Sequence, residues 1–270
     1  MRIVRVHGRQ VTGSRDFGIL PPSPLPAAHM QIRLYNLAPC KYALQNIERH
    51  RLKISRIEDL NDPFELLPAN LSDLTDRKLF REFKTSFDRD HGVHCFSKSW
   101  HNPVLWSHYA AKHSGICLGF DVDARCTFPV TYVKNLKLFD FSAIDGRKKG
   151  RPDFAEKEVR RLITTKFSHW QYEDEMRVFV ALDHSTVQNG LYFSDFGPQL
   201  KLREVIVGAR CNIPVREICE IVKRSATDVT VRKARLAFNS FSITEDLRFP
   251  KRIERYMQST CTLRDPSAQK

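Results

Sequence analysis

"KFSHWQYEDEMRVFV", Lys166 to Val180, sets a cluster of charge directly against an apolar run. Val178, Phe179 and Val180 are β-branched or aromatic, the composition of a buried strand. Glu173, Asp174, Glu175 and Arg177 come just before them. In a strand, side chains alternate between faces, so Glu173, Glu175 and Arg177 are expected to share one face. The two glutamates would then stand about 7 Å apart. Three arrangements suit such a row. A sheet edge would leave an exposed Arg177–Glu175 pair, which stabilises by about 0–1 kcal/mol. A buried ionic ladder is costly unless every group is paired. A cleft would be walled by Trp170 and Tyr172, with Arg177 keeping a carboxylate ionised.

Working outward, strand and helix patterns interleave. "QIRLYNLA" (31–38) alternates as a strand, and "PCKYALQNIERHRL" (39–52) has helical spacing, with Pro39 at its start. "SDLTDRKLFREFKTSFDRD" (72–90) reads as an amphipathic helix capped by Ser72. "GVHCFS" (92–97) and "GICLGFDV" (115–122) are strand-like. Between them "NPVLWSHYAAKH" is a helix that Asn102 caps and Ser114-Gly115 ends. "FPVTYV" and "LKLFDF" add strand candidates, and "DFAEKEVRRLITTKFSHW" (153–170) a helix. "EMRVFVAL", "GLYFS", "REVIVGA", a helix at "PVREICEIVKRSA" and "VTVRKARLAF" complete the series. The βαβ spacing is irregular and neither G-x-G-x-x-G nor a P-loop is present, which argues against Rossmann and P-loop nucleotide sites. The expected class is α+β with a mixed or mostly antiparallel sheet core and flanking helices.

The Pro- and Ala-rich "GILPPSPLPAAHM" marks residues 1–29 as a flexible extension. A single α+β domain is expected over 30–253, followed by a polar tail, 254–270. The formal charge of +13 favours anionic partners such as nucleic acid, or else serves solubility alone. "GRKKGR" (146–151) is the tightest basic cluster, with weaker ones at "VRKAR" (231–235) and "PKRIERY" (250–256). Seven cysteines, without a C-x-x-C pair, fit buried thiols of a reducing cytosol better than a disulfide framework. His91 and His94 precede Cys95, but a second ligand pair is missing, so no structural metal is expected. No apolar run reaches the roughly 18 residues of a membrane span, and no secretory h-region opens the chain. A cytoplasmic protein without membrane contact is expected; the oligomeric state stays open.

Two further stretches stand out. "LNDPFE" (60–65) is a polar turn around a proline, with an Asx side chain bonded to the backbone as its simplest reading. "HCFSKSWHNPVLWSHYAAKHSGICLGF" (94–120) gathers Phe96, Trp100, Trp106 and Tyr109 with Ser97 and Ser99. Trp106 and Tyr109 share a helix face. Such aromatics build a core, or wall a pocket for a flat ring.

Taken in order, these motifs resemble a bacterial family known as domain of unknown function 2971. Leu34-Tyr35, Asn61 to Glu65, Cys95 to Ser97, Trp106, Tyr109, Gly115, Phe120, Lys166, Trp170, Glu173, Glu175, Arg177 and Gly208 carry the likeness, over roughly 32–245. That family implies no reaction. The chain also resembles ADP-ribosyltransferases, including the toxins that modify DNA. These have a split sheet with an Arg or His on a first marked strand, a Ser or Tyr on a second and a Glu, often E-x-E, on a third. Arg33, Ser97 and Glu173-Asp174-Glu175 stand in that order. Asn36 replaces the histidine expected after Tyr35, and S-T-S reads S-K-S.

This second resemblance implies an ADP-ribosyltransferase-like sheet and NAD as a substrate. Cleavage at the nicotinamide ribose passes through an oxocarbenium-like state, which a fixed carboxylate stabilises. Glu175 would fill that role, with Glu173 as base or orienter toward the acceptor and Ser97 supporting the carboxylate or ribose. Tyr35, Trp106 or Tyr109 would stack on the cofactor, and Arg33 or Lys98 would meet the diphosphate. Asn61, Asp62 and Arg177 complete the implied cofactor set. The acceptor would be DNA, RNA or another macromolecule. Two other functions compete. One is a non-catalytic module that binds nucleic acid or another partner and in which the acids are structural. The other is a metal-dependent hydrolase using Asp62, Glu65, Glu173 and Glu175.

Overall fold

The computed structural model describes residues 30–144, 152–225 and 228–249. The expected N-terminal extension, the polar tail, "GRKKGR" and "PKRIERY" lie outside the described residues. In chain order the elements are β1 (Gln31–Ala38), α1 (Cys40–Glu48), β2 (Arg51–Ile54), α2 (Leu74–Asp90), β3 (His91–Ser97), α3 (Pro103–Tyr109) and β4 (Ile116–Asp123). Next come β5 (Phe128–Pro129), β6 (Thr131–Val133), α4 (Phe141–Ile144), α5 (Pro152–Ile163), β7 (Thr165–Phe167) and β8 (Glu175–Ala181). The last are β9 (Tyr192–Asp195), β10 (Leu200–Val207), α6 (Val215–Ser225), β11 (Thr230–Leu236) and β12 (Ile243–Glu245). The class is α+β with a mixed sheet, since β3 and β8 pair antiparallel and β10 and β11 parallel.

Where the sequence suggests one domain, the contacts divide the described chain into two compact units. The first holds residues 30–34, Arg51–Lys98 and Asp121–Lys201; the second holds Tyr35–His50, Ser99–Phe120 and 202–249. β1 and β4 contribute residues to both.

In the first unit β8 pairs with β3 from His91↔Ala181 to Ser97↔Glu175, and with β5 through Phe128↔Arg177. Nearly all of β8 is buried on both faces, which explains its continuous apolar end. α2 supplies Leu79, Phe80, Phe83 and Phe87 from one face. Phe87 meets Phe179 of β8 edge-on, with ring centroids 5.8 Å apart. Asp73, not Ser72, caps α2, accepting the Thr75 and Asp76 amides at 2.7 and 3.0 Å. The stretch "LKLFDF" does not form a strand; α4 begins at its last residue. The helix expected over 153–170 stops at Ile163, and its remainder becomes β7 and a 3₁₀ turn, Ser168–Glu173.

In the second unit β11 lies between β10 and β12, and α1 packs against α6. α1 ends at Glu48, four residues short of the sequence expectation, and His50 takes a left-handed turn into β2. Asn102 caps α3 as expected, accepting the Val104 amide at 2.9 Å. Two glycines fix close approaches. A Cβ at Gly208 would lie 2.4 Å from the His113 carbonyl oxygen, and one at Gly119 would crowd both Glu204 and Tyr35. Trp106 is wholly buried among Trp100, Ala110, Cys117, Ile206, Ala234 and Ile243.

Candidate functional site

The acid-rich stretch builds a buried ion cluster in the first unit. Glu173 is not on β8. It ends the 3₁₀ turn, and Asp174, with φ 43°, kinks the chain before the strand begins at Glu175. The expected single-face row of Glu173, Glu175 and Arg177 is therefore interrupted by a left-handed residue. Glu175 and Arg177 do share a face of β8, and the guanidinium forks onto the carboxylate, Nε to Oε1 at 2.9 Å and Nη2 to Oε2 at 3.1 Å. Nη1 donates to the Ile163 carbonyl at 2.8 Å. Lys166 ties Glu173, before the kink, to the same cluster. Its Nζ lies 2.7 Å from Glu173, 3.2 Å from Glu175 and 3.7 Å from Glu65, and 5.0 Å from the centre of the Trp170 ring.

Glu65 reaches the same cluster from the "NDPFE" turn, its Oε1 2.7 Å from Arg177 Nη1. That oxygen has no hydrogen bond, so the contact is an ion pair off the N–H direction. Three carboxylates thus face two cations, with Arg177 0% and Glu175 4% exposed. Burial pushes the Glu175 carboxyl up, but Arg177 and Lys166 outweigh it and hold the group at about 2. Burial pulls Lys166 down, and the surrounding glutamates more than reverse this. Burial with Glu175 alongside raises the Cys95 thiol. The Glu175 amide donates to the Tyr132 hydroxyl at 2.9 Å.

The other expected site residues divide between the units. In the first, Ser97 is buried opposite Glu175 in the β3–β8 register. Arg33 pairs with Asp121 at 2.7 Å, and Lys98 pairs at the surface with Asp174 at 2.9 Å. Asp62 forms the expected Asx turn, its Oδ1 accepting the Phe64 amide at 2.9 Å, while its Oδ2 is buried without a hydrogen bond. Asn61 beside it is exposed. In the second unit, Tyr35 donates to Glu204 at 3.2 Å, and Tyr109 is half-buried beside His108. Trp106, expected to stack on a cofactor, is 0% exposed and donates to the Trp100 carbonyl at 2.6 Å. It is a core residue, which corrects the pocket-wall reading for this side chain. Among the described residues no cluster of His, Cys, Asp and Glu could hold a metal ion, and no helix is long and apolar enough to cross a membrane.

A second feature escaped the sequence reading. β11 and β12 form a hairpin, Arg235↔Thr244 in register, closed by the Ala237 amide donating to the Ser242 carbonyl at 2.9 Å. Its loop, "AFNSFS" (237–242), holds two phenylalanines out in solvent, Phe238 at 89% and Phe241 at 101% exposure. Leu236 and Leu247 beside them are exposed too. The Arg235 guanidinium lies 4.4 Å from the centre of the Phe238 ring and donates to the Leu236 carbonyl at 2.9 Å. Its charge also helps to hold the Asp246 carboxyl below its ordinary value, behind Arg248, which binds that carboxylate directly. Arg232, by contrast, is held by Glu204 at 3.3 Å and Glu245 at 2.6 Å. Both arginines line a cavity of about 420 Å³ with Trp100, His101, Glu245 and Leu247. The basic run "VRKAR" signalled the strand; two aromatics in a short polar loop were the overlooked signal.

Compared with known proteins, the chain matches no family model, no curated protein and no solved structure.

Proposed function

We propose that this chain binds single-stranded nucleic acid through the β11–β12 hairpin. The observation that carries the reading is the exposed pair Phe238 and Phe241, with the Arg235 guanidinium 4.4 Å from the Phe238 ring. Solvent-facing phenyl rings cost the free protein favourable burial, and clustered ones mark interaction sites. Phenyl faces stack on unpaired bases, and a nearby guanidinium meets the phosphates. A duplex hides its base faces, so single strands suit the loop better. The charge agrees. Residues 230–249 carry four basic and two acidic side chains, within a chain of net charge +13. On this reading the buried ion cluster is structural, because Glu175 already spends both oxygens on Arg177 and Lys166.

Fluorescence anisotropy with labelled single-stranded RNA and DNA tests this. Affinity should fall steeply with salt and should drop in F238A/F241A, while a duplex of the same length binds less well. If the variant keeps full affinity but changes the oligomeric state seen by light scattering, the loop is a protein interface and the nucleic-acid reading is lost.

A second reading, NAD-dependent ADP-ribosyl transfer, is favoured by one observation. In the first unit the strands that carry Arg33, Ser97 and Glu175 are consecutive, β1-β3-β8, and Ser97 stands directly across from Glu175. That order suits the Arg–Ser–Glu pattern of the resemblance. It requires Glu175 to exchange the Arg177 fork for a ribose hydroxyl. Release of nicotinamide from labelled NAD, lost in E175Q while the variant stays folded, would establish it; no release with or without single-stranded RNA or DNA removes it.

A further inference from the structure

Cys40 opens α1, and Cys211 lies in the turn that follows β10. They are 171 residues apart in sequence, yet their sulfur atoms are 3.2 Å apart within the second unit. A disulfide bond is about 2.05 Å long, so a small side-chain rotation closes the gap. Both residues are half-exposed, which leaves a route for a small reagent. The surroundings also suit thiol chemistry. The Cys40 thiol donates to the Ser114 carbonyl at 2.9 Å. Lys233 of β11 donates to the Gly208 carbonyl at 2.6 Å and the Cys211 carbonyl at 3.5 Å. Its ammonium therefore holds the Cys211 turn in place and sets a positive charge near both sulfurs.

We propose that Cys40 and Cys211 form a redox-active pair that closes to a disulfide when a low-molecular-weight disulfide oxidises it. Cys211 reacts first. Burial and the neighbouring Cys211 sulfur hold the Cys40 thiol up at about 12, which disfavours its thiolate. The Cys211 thiolate attacks one sulfur of the external disulfide, forming a mixed disulfide and releasing one small thiol. Cys40 then gives its proton to solvent and attacks the Cys211 sulfur, and the second small thiol leaves. Two protein S–H bonds and one external S–S bond are replaced by one protein S–S bond and two external thiols. The cysteines are oxidised and the reagent is reduced. The product ties the start of α1 to the turn after β10. A thiol pair that cycles in this way is also compatible with a reducing compartment, where such bonds are transient. The pair stands apart from the nucleic-acid reading and does not depend on it.

The test uses the reduced full-length protein, exposed to excess oxidised glutathione, alkylated and mapped without reduction. The expected result is a cross-linked peptide pair containing Cys40 and Cys211. Both residues should be lost from the alkylated pool and return to it after dithiothreitol. In C40S, once circular dichroism has verified that the variant is folded, the reaction should stop at a glutathione adduct on Cys211. Recovery of both residues as alkylated thiols overturns the proposal. So does a wild-type protein in which the Cys211 adduct persists without a cross-link.

Discussion

Arg177 and Arg235 are both arginines on β-strands, and they live in opposite circumstances. Arg177 has no exposed surface and lies within a few ångströms of the carboxylates of Glu175 and Glu65. Arg235 has a backbone carbonyl, a phenyl ring and only the more distant Asp246 carboxylate, already bound by Arg248, for company, and borders a cavity. The first charge is fully committed inside the protein. The second is only loosely committed. A charge that has lost its water needs a fixed counter-charge, and once it has one it is poor at recruiting anything else. The contrast therefore predicts where mutations harm the fold and where they harm binding.

Arg177→Ala should have the largest effect. It leaves Glu175 and Glu65 buried beside a single remaining cation, and breaking a buried pair in this way costs about 3–5 kcal/mol. Urea unfolding should show a matching fall in midpoint. The double variant E175Q/R177M should recover part of the loss, because both halves of the fork are then neutral. If R177A unfolds at the wild-type midpoint, the cluster is not structural and Glu175 becomes available for chemistry again.

Acid should reveal the same cluster more selectively. Glu175 titrates at about 2 in the folded chain, against 4.5 for an ordinary glutamate. A depressed folded value means that the unfolded chain takes up the proton first. The stabilisation is therefore complete above pH 4.5 and is lost as pH falls toward 2. It amounts to about 3 kcal/mol. The stability difference between wild type and E175Q should shrink across that window. His94 provides a second, higher window. Burial lowers it from 6.5 to about 4, against a hydrogen bond with the Lys53 backbone. Its contribution is present above pH 6.5 and lost as pH falls through 4. Denaturation curves that show no difference between wild type and E175Q from pH 2 to 7 would remove Glu175 from the stability argument.

F238A/F241A should act on the other side of the contrast. Neither ring packs into the core, so the unfolding midpoint should stay close to wild type. Affinity for a single strand should fall by about 1–3 kcal/mol for each base that loses its stacking partner. A variant that loses stability and keeps affinity would exchange the roles given to the two regions.

Most of the sheet was legible because its strands carry the period-2 or all-apolar patterns that burial imposes. β3, β4, β8 and β10 all fall where "GVHCFS", "GICLGFDV", "EMRVFVAL" and "REVIVGA" put them. Short elements were legible only in part: β5, β6 and β9 fall at "FPVTYV" and "GLYFS", but β7 and β12 had no sequence counterpart. β12 is three residues long, and its register is set by β11 and by the His101 carbonyl, which takes the Ile243 amide at 2.8 Å. No local pattern encodes such a partner. The acids at 173–177 were recognised as a unit, but the kink at Asp174 depends on one left-handed residue that propensity does not flag. Glu65 joins the cluster from a sequence position far from β8, and only the folded chain shows that it meets Lys166 and Arg177 there. Trp106 read equally well as core or as pocket wall, because a helix face looks the same in sequence whichever way it turns.

The smallest predicted effect is also the sharpest test of the contrast, because it compares two arginines of one strand. For a single strand, each phosphate neutralised adds about 0.7 to the slope of log affinity against log salt. Arg235→Ala should lower that slope by about this amount with little change in stability. Arg232→Ala removes the same formal charge, but that charge is already answered by Glu204 and Glu245. Its loss leaves two carboxylates facing the cavity, so affinity should fall through repulsion, and the midpoint should drop as well because a half-buried pair has been broken. Counting basic residues makes the two variants equivalent; counting direct ion pairs does not. Equal salt slopes with equal stabilities would mean that pairing within the hairpin does not decide which arginine meets a phosphate. The exposed loop would then have to bind by stacking alone.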